Sequence, residues 1–380
     1  MKKFATLAVL AAVAGGAYAQ SSVTLFGIVD EAARYTKNGD FSQKALVSGG
    51  LSTSRFGLRG TEDLGGGLSA GFWLESGFNA DSGTNSDSTR FFNRRSTVGL
   101  LGDFGEVRLG RDYTPTYTGY TDYDVFGDNG VAASSKFDIS MGVSRDGQVD
   151  PGQYTNSGET RADNQIAYFT PTGLGGFYGR ASVAAGEGTA GKKYVGGRFG
   201  YNAGPLDVSA SYGEFTVLPA FGDDKFKTAD LGASYDFGVV KLEGYYTQSK
   251  FVSQKIATYS VGAVAPVGLG LIRAAYTHAN QSGTAAVSVG GTVAGVTSVD
   301  GNDADQFALG YIYNLSKRTA IYSTGAYIRN KGNAQFAAGA TTPSIAGGAN
   351  SRAGEVPGVA SHRHPQRRAR SAAPPPSPGR

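Results

Sequence analysis

The residues of this sequence that could act chemically are charged side chains rather than nucleophiles or metal ligands. Cysteine is absent, so neither a disulfide nor a thiolate metal site can form. Histidine occurs only as His278, His362 and His364, and no His, Asp or Glu cluster has the spacing of a metal site. Because no nucleophile is set beside a base, the sequence predicts a protein that is not an enzyme and needs no cofactor.

Two arginines are placed in a pattern that could act on charged solutes. Arg55 and Arg59 alternate with Phe56 and Leu58. On a β-strand this spacing puts both arginines on one face and both apolar residues on the other. Fixed positive charges on a wet strand face could select ions, and the alternative is that they are ordinary solvated residues or ion-pair partners.

The element that positions these arginines is a hairpin from Ser54 to Phe78. Its return arm places Leu68, Ala70, Phe72 and Leu74 on one face, and a Gly-rich turn separates the two arms. The same period of two recurs from Val23–Asp30 to Thr319–Arg329, which gives fifteen strands. Since transmembrane barrels of this kind have an even strand number, a sixteenth strand is expected after Arg329.

The lengths of the connections indicate which way the apolar faces point. Short Gly/Pro/Asp turns alternate with long polar segments, and Asp112–Glu159 is the longest of these. A transmembrane barrel sorts its loops in this way, with short periplasmic turns and long external loops. The sequence therefore predicts an all-β antiparallel transmembrane barrel of about 16 strands around an aqueous channel. A surface adhesin or a soluble secreted β protein is the alternative, and it has no reason to sort its loops.

The N-terminal segment predicts export. Residues 1–19 combine Lys2 and Lys3, an apolar run from Leu7 to Ala14 and the small-residue site Ala17–Ala19, which is typical of a secretory signal peptide. No later run is apolar enough to cross a bilayer as a helix. The formal charge is +4, but residues 20–350 contain 27 basic and 30 acidic residues, a net charge of −3, and nucleic-acid binding is not expected.

Four stretches resemble trimeric general porins of Gram-negative bacteria, of the kind found in relatives of Burkholderia and Bordetella. They are Ser22–Asp30, Ser54–Gly67, Asp103–Arg111 and Tyr311–Thr319. The resemblance covers Met1 to about Asn333 and places the barrel at residues 20–350. Residues 351–380 depart from it, because such porins end in a strand with a terminal aromatic residue. This tail is rich in arginine and proline and predicts a disordered or extended segment.

The resemblance also implies how the channel works. The third external loop, at about 112–159, is expected to fold inward and constrict the lumen, with Asp122 and Asp124 as its acidic segment. Opposed rows of charge across such a gap orient dipolar solutes. The basic residues expected across the lumen are Arg55, Arg59, Arg94, Arg111 and Arg161. Only one of Arg94 and Arg95 should face inward on a regular strand, and Arg94 is favoured.

The remaining expectations follow from the same resemblance. They are passive diffusion of ions and small hydrophilic solutes with a weak anion preference, a location in the outer membrane, and a homotrimer in which the Asn79–Thr89 loop could latch onto a neighbouring subunit. Outer-membrane lipid, lipopolysaccharide and the outer-membrane assembly machinery are the other expected partners.

Overall fold

A computed structural model describes residues 22–137, 160–187, 193–216, 225–251, 253–289, 292–339 and 348–362. Sixteen antiparallel strands form a closed barrel in these residues, as the sequence predicts. The barrel closes because β1 pairs with β2 on one side and with β16 on the other. The strands are β1 (Ser22–Asn38), β2a (Phe41–Ser48) with β2b (Arg55–Gly65), β3 (Leu68–Asn79), β4 (Arg95–Gly102), β5 (Gly105–Tyr113), β6 (Arg161–Phe169), β7 (Phe177–Ala184), β8 (Lys193–Ala203), β9 (Leu206–Thr216), β10 (Lys225–Asp236), β11 (Lys241–Phe251), β12 (Gln254–Val267), β13 (Gly270–Ser282), β14 (Ala304–Asn314), β15 (Thr319–Asn330) and β16 (Ser351–His362).

The alternation of side chains gives the barrel an apolar outside and a polar inside. Leu231 and Leu309 are 60% and 62% exposed on the outer face. Their strand neighbours Asp230 and Gln306 point inward and are buried. An apolar outer band is what acyl chains require of a membrane barrel, whose backbone groups are all paired between strands.

The connections are short at one end of the barrel and mostly long at the other. Gly66-Gly67, Gly204-Pro205 and Gly268-Leu269 are two-residue turns, each with a glycine in the left-handed region. The polar stretch from Tyr35 to Gly50 mostly continues the sheet, in which Tyr35 pairs with Lys44. The long-loop end also carries a small hairpin, formed by Thr284–Val289 and Thr292–Ser298.

The last strand corrects the expectation for the tail. Ser351–His362 is a strand, so the expectation of a disordered or extended segment is wrong for these residues. Val356 and Pro357 stand opposite the single residue Ser323, where the register shifts between Tyr322 and Thr324. A bulge tolerates proline, because the missing N–H is not needed by the ladder there. The signal peptide at 1–19 and residues 363–380 lie outside the described residues.

In the part of the chain that the structure describes, the helical segments are short and lie in the connection after β5. They are α1 (Pro115–Thr121) and two 3₁₀ turns, Gly130–Ala132 and Ser135–Phe137. No helix in the described part of the chain has the length and apolar character needed to cross a membrane.

Candidate functional site

The connection after β5 begins with a capped helix that turns the chain into the barrel. Thr114 is the N-cap of α1, and its hydroxyl accepts a hydrogen bond from Tyr117 N at 3.1 Å. Pro115 occupies the first turn, where a missing N–H costs nothing. Local sequence therefore sets the start and direction of the loop.

The loop lies against the inner wall of the barrel. On the side of β8 to β11, Tyr123 donates to Asp207 Oδ1 at 3.0 Å, and the rings of Tyr120 and Tyr245 are 5.4 Å apart. Further along, Lys136 Nζ donates to Gln306 Oε1 of β14 at 2.7 Å. The expectation that this loop folds inward is confirmed for residues 114–137, whereas residues 138–159 lie outside the described part of the chain.

Three of the expected arginines come together where β3, β5 and β6 meet the loop. Arg94 Nε donates to Glu75 Oε1 at 2.6 Å, and Arg55 Nε lies 3.6 Å from the same oxygen. Arg94 Nη2 donates to the Tyr113 hydroxyl at 3.0 Å, and the guanidinium of Arg161 lies 4.2 Å from the centre of the Tyr113 ring. One buried carboxylate is therefore shared by two guanidinium groups, with a third close by.

Arg59 lies on the same wall and shares an aromatic platform with Arg95. Their guanidinium carbons are 5.2 and 4.4 Å from the centre of the Trp73 ring, within the range of cation–π contacts. The expectation that only one of Arg94 and Arg95 faces inward is wrong. Strand β4 begins at Arg95, so Arg94 precedes the regular alternation and is free to turn to Glu75.

Arg111 does not join this group. By the alternation of β5 it shares the outward face of Leu109, while Arg108 and Asp112 point inward and pair with each other. Arg111 pairs across the sheet with Ser96, on the face that carries the exposed Val98. Its side chain donates to Asn93 O at 2.7 Å and to Asp163 Oδ1 at 2.5 Å.

Further inward-facing arginines were missed. Arg108 donates to Glu106 and Asp112, and Arg108 and Arg180 both lie over the Phe169 ring, at 4.1 and 4.8 Å. Each follows the parity rule that selects Arg55, because the residues on both sides of Arg108 are outward-facing Val107 and Leu109. The rule applied to every strand, rather than to the hairpin alone, would have found them.

The two acidic residues of the loop differ in role. Asp122 has a side chain that is 43% exposed and accepts from Arg198 Nη1 of β8 at 2.6 Å. Asp124 is buried, and its carboxylate accepts from Phe126 N at 2.9 Å and Ser134 Oγ at 2.6 Å. Asp124 therefore holds the shape of the loop, and Asp122 is the acidic group that solvent can reach.

The loop also contains two partly buried ionisable groups, Asp128 and Lys136, whose pKa values are shifted. Burial raises the pKa of Asp128 to about 6, although its carboxylate accepts from the Tyr117 hydroxyl at 3.0 Å. Burial lowers the pKa of Lys136 to about 7. Both shifts favour the neutral form, as expected for groups removed from water. No cluster of metal-ligating side chains occurs in the ranges that the structure covers.

Comparison with known proteins gives one consistent match. The family model described as "Gram-negative porin" matches residues 6–333. Outer membrane porin protein 32 of Delftia acidovorans is 42% identical over 87% of this chain and 90% of its own length. An outer membrane porin protein of Bordetella pertussis is 31% identical over 87% of this chain and 94% of its own length.

A solved structure agrees with both relatives. The anion-selective porin from Comamonas acidovorans is 38% identical, with a TM-score of 0.74, and the match covers 90% of this chain and 99% of that one. OmpT of Vibrio cholerae in a trimer form shares the fold at 16% identity, with a TM-score of 0.59 and coverage of 90% and 99%. The chain therefore belongs to the Gram-negative porin family, the β-barrel channels of the outer membrane.

Proposed function

We propose that this channel admits small hydrophilic solutes by passive diffusion and prefers anions. The side of the lumen that selects charge is the arginine wall, defined here as the inward arginines of β2b to β7 and the residues just before β4. These arginines are Arg55, Arg59, Arg94, Arg95, Arg108, Arg161 and Arg180.

The observation that carries this proposal is an imbalance of charge on the arginine wall. Seven guanidinium groups stand there, and the carboxylates that contact them in the described residues are Glu75, Glu106 and Asp112. Arg59, Arg161 and Arg180 are held instead by aromatic rings or carbonyl oxygens. An excess of fixed positive charge in a narrow aqueous passage raises the local concentration of anions.

The net charge of −3 over residues 20–350 does not cancel this field. Exposed charges are screened beyond a Debye length of about 8 Å at physiological ionic strength. Ions in the passage are therefore governed mainly by the groups that line it. The solved relative from Comamonas acidovorans, which is described as anion-selective, supports the same preference.

The constriction loop presents fewer accessible acidic groups than the sequence suggests. Asp122 is the exposed carboxylate, and it is paired with Arg198. We therefore propose a field in which the described part of the loop faces the arginine wall with one solvent-exposed carboxylate, rather than with a second equal row of charge. Such a field favours anions over cations more strongly than a balanced one.

Charge reversal at Arg55 and Arg59 tests the proposal. The variant Arg55→Glu/Arg59→Glu should shift the reversal potential under a salt gradient toward cation preference, measured in a planar bilayer. The matched control is Arg318→Glu, which lies in an exposed turn at the short-loop end of the barrel. This substitution should leave the reversal potential unchanged. An unchanged potential in the double variant, with normal folding, would contradict a role for the arginine wall.

We also propose that the chain assembles as a homotrimer with the Asn79–Thr89 loop as a latch. The loop is ordered by a short ladder, in which Phe78 pairs with Asn85, and Phe91 beside it is 61% exposed. An exposed aromatic residue next to an ordered loop is suited to a protein contact. Deleting residues 80–88 should lower the temperature at which the oligomer dissociates on gels, and an unchanged temperature would rule out the latch.

A further inference from the structure

The second strand of the barrel is interrupted by a bend between β2a and β2b. Ser48, which ends β2a, pairs with Glu31 of β1. Arg55, which begins β2b, pairs with Ile28 of β1. Residues 49–54, named here the inner bend, therefore stand opposite only two residues of β1. Inserted residues of this kind redirect a strand locally and are common beside functional sites.

The inner bend lies on the lumen side of the wall. A Cβ built on Gly50 would overlap the hydroxyl of Tyr322, a buried inward residue of β15. A Cβ built on Gly130 of the loop after β5 would in turn overlap the carbonyl oxygen of Gly50. The bend is therefore packed between the inner wall and the loop, and both points of contact require glycine.

One buried carboxylate fixes the shape of the inner bend. Asp30 is completely buried, and its Oδ2 accepts from Leu51 N at 2.8 Å and from Ser52 N at 2.6 Å. Its Oδ1 accepts from the Tyr322 hydroxyl at 2.6 Å. The backbone N–H of Asp30 donates to Ser54 Oγ at 3.0 Å, which ties down the far end of the bend. Because hydrogen bonds to a carboxylate are strong, the bend is held firmly on β1.

Thr53 in the inner bend contacts both sides of the constriction. Its hydroxyl donates to Asn129 Oδ1 of the loop at 3.0 Å. Its carbonyl oxygen lies 3.4 Å from Arg55 Nη1 of the arginine wall, a longer and weaker contact. Asn129 is itself oriented, because its Nδ2 donates to Gly127 O at 2.5 Å. One residue of the bend therefore joins the loop to the wall.

We propose that the inner bend is a strut that sets the distance between the loop and the arginine wall, with Asp30 and Thr53 as positioning residues. Asp30 fixes the strut to β1, and Thr53 carries that position to the loop through Asn129. The contact with the loop includes one neutral hydrogen bond, whose loss should let the loop close the passage more often without unfolding the barrel. The inference rests on the proposed function of the arginine wall, since Arg55 is the wall residue that the strut contacts.

Single-channel recording in a planar bilayer tests the proposal through the frequency of brief closures at a fixed voltage. Thr53→Val removes the hydroxyl and keeps the carbonyl, whereas Thr53→Ser keeps both. The matched control is Thr258→Val, which removes a buried inward hydroxyl of β12 that has no hydrogen-bond partner among the described residues. Asn129→Ala and the double variant Thr53→Val/Asn129→Ala complete the set.

The expected result is that Thr53→Val closes about fivefold more often than the wild type, as for the loss of one hydrogen bond between neutral groups. Thr53→Ser and Thr258→Val should close as the wild type does. In the Asn129→Ala background, Thr53→Val should have no further effect, because both changes remove the same bond. Equal closure frequencies in the wild type and Thr53→Val would overturn the proposal, as would an additive double variant or a Thr53→Ser channel that behaves like Thr53→Val.

Asp30→Asn tests the anchor of the strut. An amide offers an acceptor at only one of its two ends, so it cannot accept from both Tyr322 and the N–H groups of the inner bend. Closures should be at least as frequent as in Thr53→Val, and a wild-type frequency would contradict the role of Asp30. Ion preference is a separate readout. A cation-selective wild type would contradict the proposed function of the arginine wall, whereas the closure frequencies alone decide the strut.

Discussion

The two sides of the lumen are built from the same strand alternation but end in different chemistry. The arginine wall of β2b to β7 presents guanidinium groups stacked on Trp73, Tyr113 and Phe169. The side of β8 to β15, which the loop covers, presents hydroxyl, amide and aromatic groups such as Ser209 and Gln306. One side carries an excess of arginine, and the other side, whose charged groups include the Arg198–Asp122 ion pair, holds the loop. Selectivity and pore shape are therefore assigned to different strands and should be separable by mutation.

The largest effect on the channel is expected where the loop packs most closely against the inner face of β10. A Cβ on Gly232 of β10 would overlap the Tyr123 ring. We expect Gly232→Val to push the loop into the lumen and lower single-channel conductance by roughly twofold, since overpacked contacts are relieved by backbone shifts. The ion preference should change little.

A glycine in open space provides the control for this substitution. Nothing lies within 4 Å of a Cβ built on Gly325 of β15. Gly325→Ala should conduct as the wild type does. A Gly232→Val channel of normal conductance would show that the loop is not held by this contact.

Neutralising the arginine wall should change selectivity and leave the size of the pore nearly intact. Arg59 and Arg180 rest on aromatic rings, so their loss leaves no carboxylate of the described residues without an ion-pair partner. Arg59→Gln/Arg180→Gln should lower the anion-to-cation permeability ratio by roughly twofold, because two of the fixed charges that concentrate anions are gone. Reversal potentials would measure this, and a fall in conductance without a change in ratio would contradict the division between the two sides.

The ion pair on the loop-covered side should have a smaller effect on selectivity. Arg198 and Asp122 neutralise each other at 2.6 Å. Asp122→Asn should raise anion preference slightly and Arg198→Gln should lower it slightly, in opposite directions from the same wild-type value. If either change equals that of Arg59→Gln/Arg180→Gln, selectivity is not confined to the arginine wall.

The smallest effect is a pH dependence of loop packing through Asp128. Its pKa in the folded chain is raised by burial to about 6, above the usual value of 3.8, so the folded state holds this proton more tightly than the unfolded state. Packing should therefore be strongest below about pH 4 and weaken as the pH rises to about 6. Brief closures of single channels should become more frequent over that range.

Asp128→Asn removes this titration and should make the closure frequency flat between pH 4 and 6. The titration of Lys136 has the opposite effect on loop packing, at higher pH. Because burial lowers its pKa to about 7, packing should recover above that pH. A wild-type closure frequency that falls between pH 4 and 6 would contradict the assignment to Asp128.

Much of the barrel could be predicted from the sequence, because a period of two determines both the strand and the face. Arg55 and Arg59 are placed correctly by the exposed Phe56 and Leu58 beside them. Arg94 faces inward as predicted, whereas Arg111 lies on the outer face and Asp124 is buried within the loop. Strand β4 begins one residue after Arg94, so Arg95 turns inward as well. Arg111 has the same parity as the outward Leu109, and backbone N–H groups of the loop take up Asp124.

The last strand shows a second reason why local sequence patterns do not predict the whole fold. Its inward residue Glu355 is completely buried and accepts from Arg34 Nη2 at 2.5 Å, a contact across 321 residues. Sequence composition treats Arg352, Glu355 and Pro357 as marks of a disordered tail. A long-range ion pair and a bulge make the same residues compatible with the closing strand, and neither is visible in a local window.

The most direct test of the central claim is the reversal potential of the wild-type channel in a planar bilayer under a potassium chloride gradient. Because the arginines of the wall outnumber the carboxylates that contact them, the predicted reversal potential has the sign given by chloride permeation. This potential should decline as salt is raised, because screening shortens the reach of the fixed charges. A potential of the sign given by potassium permeation, at low as well as high salt, would contradict the account.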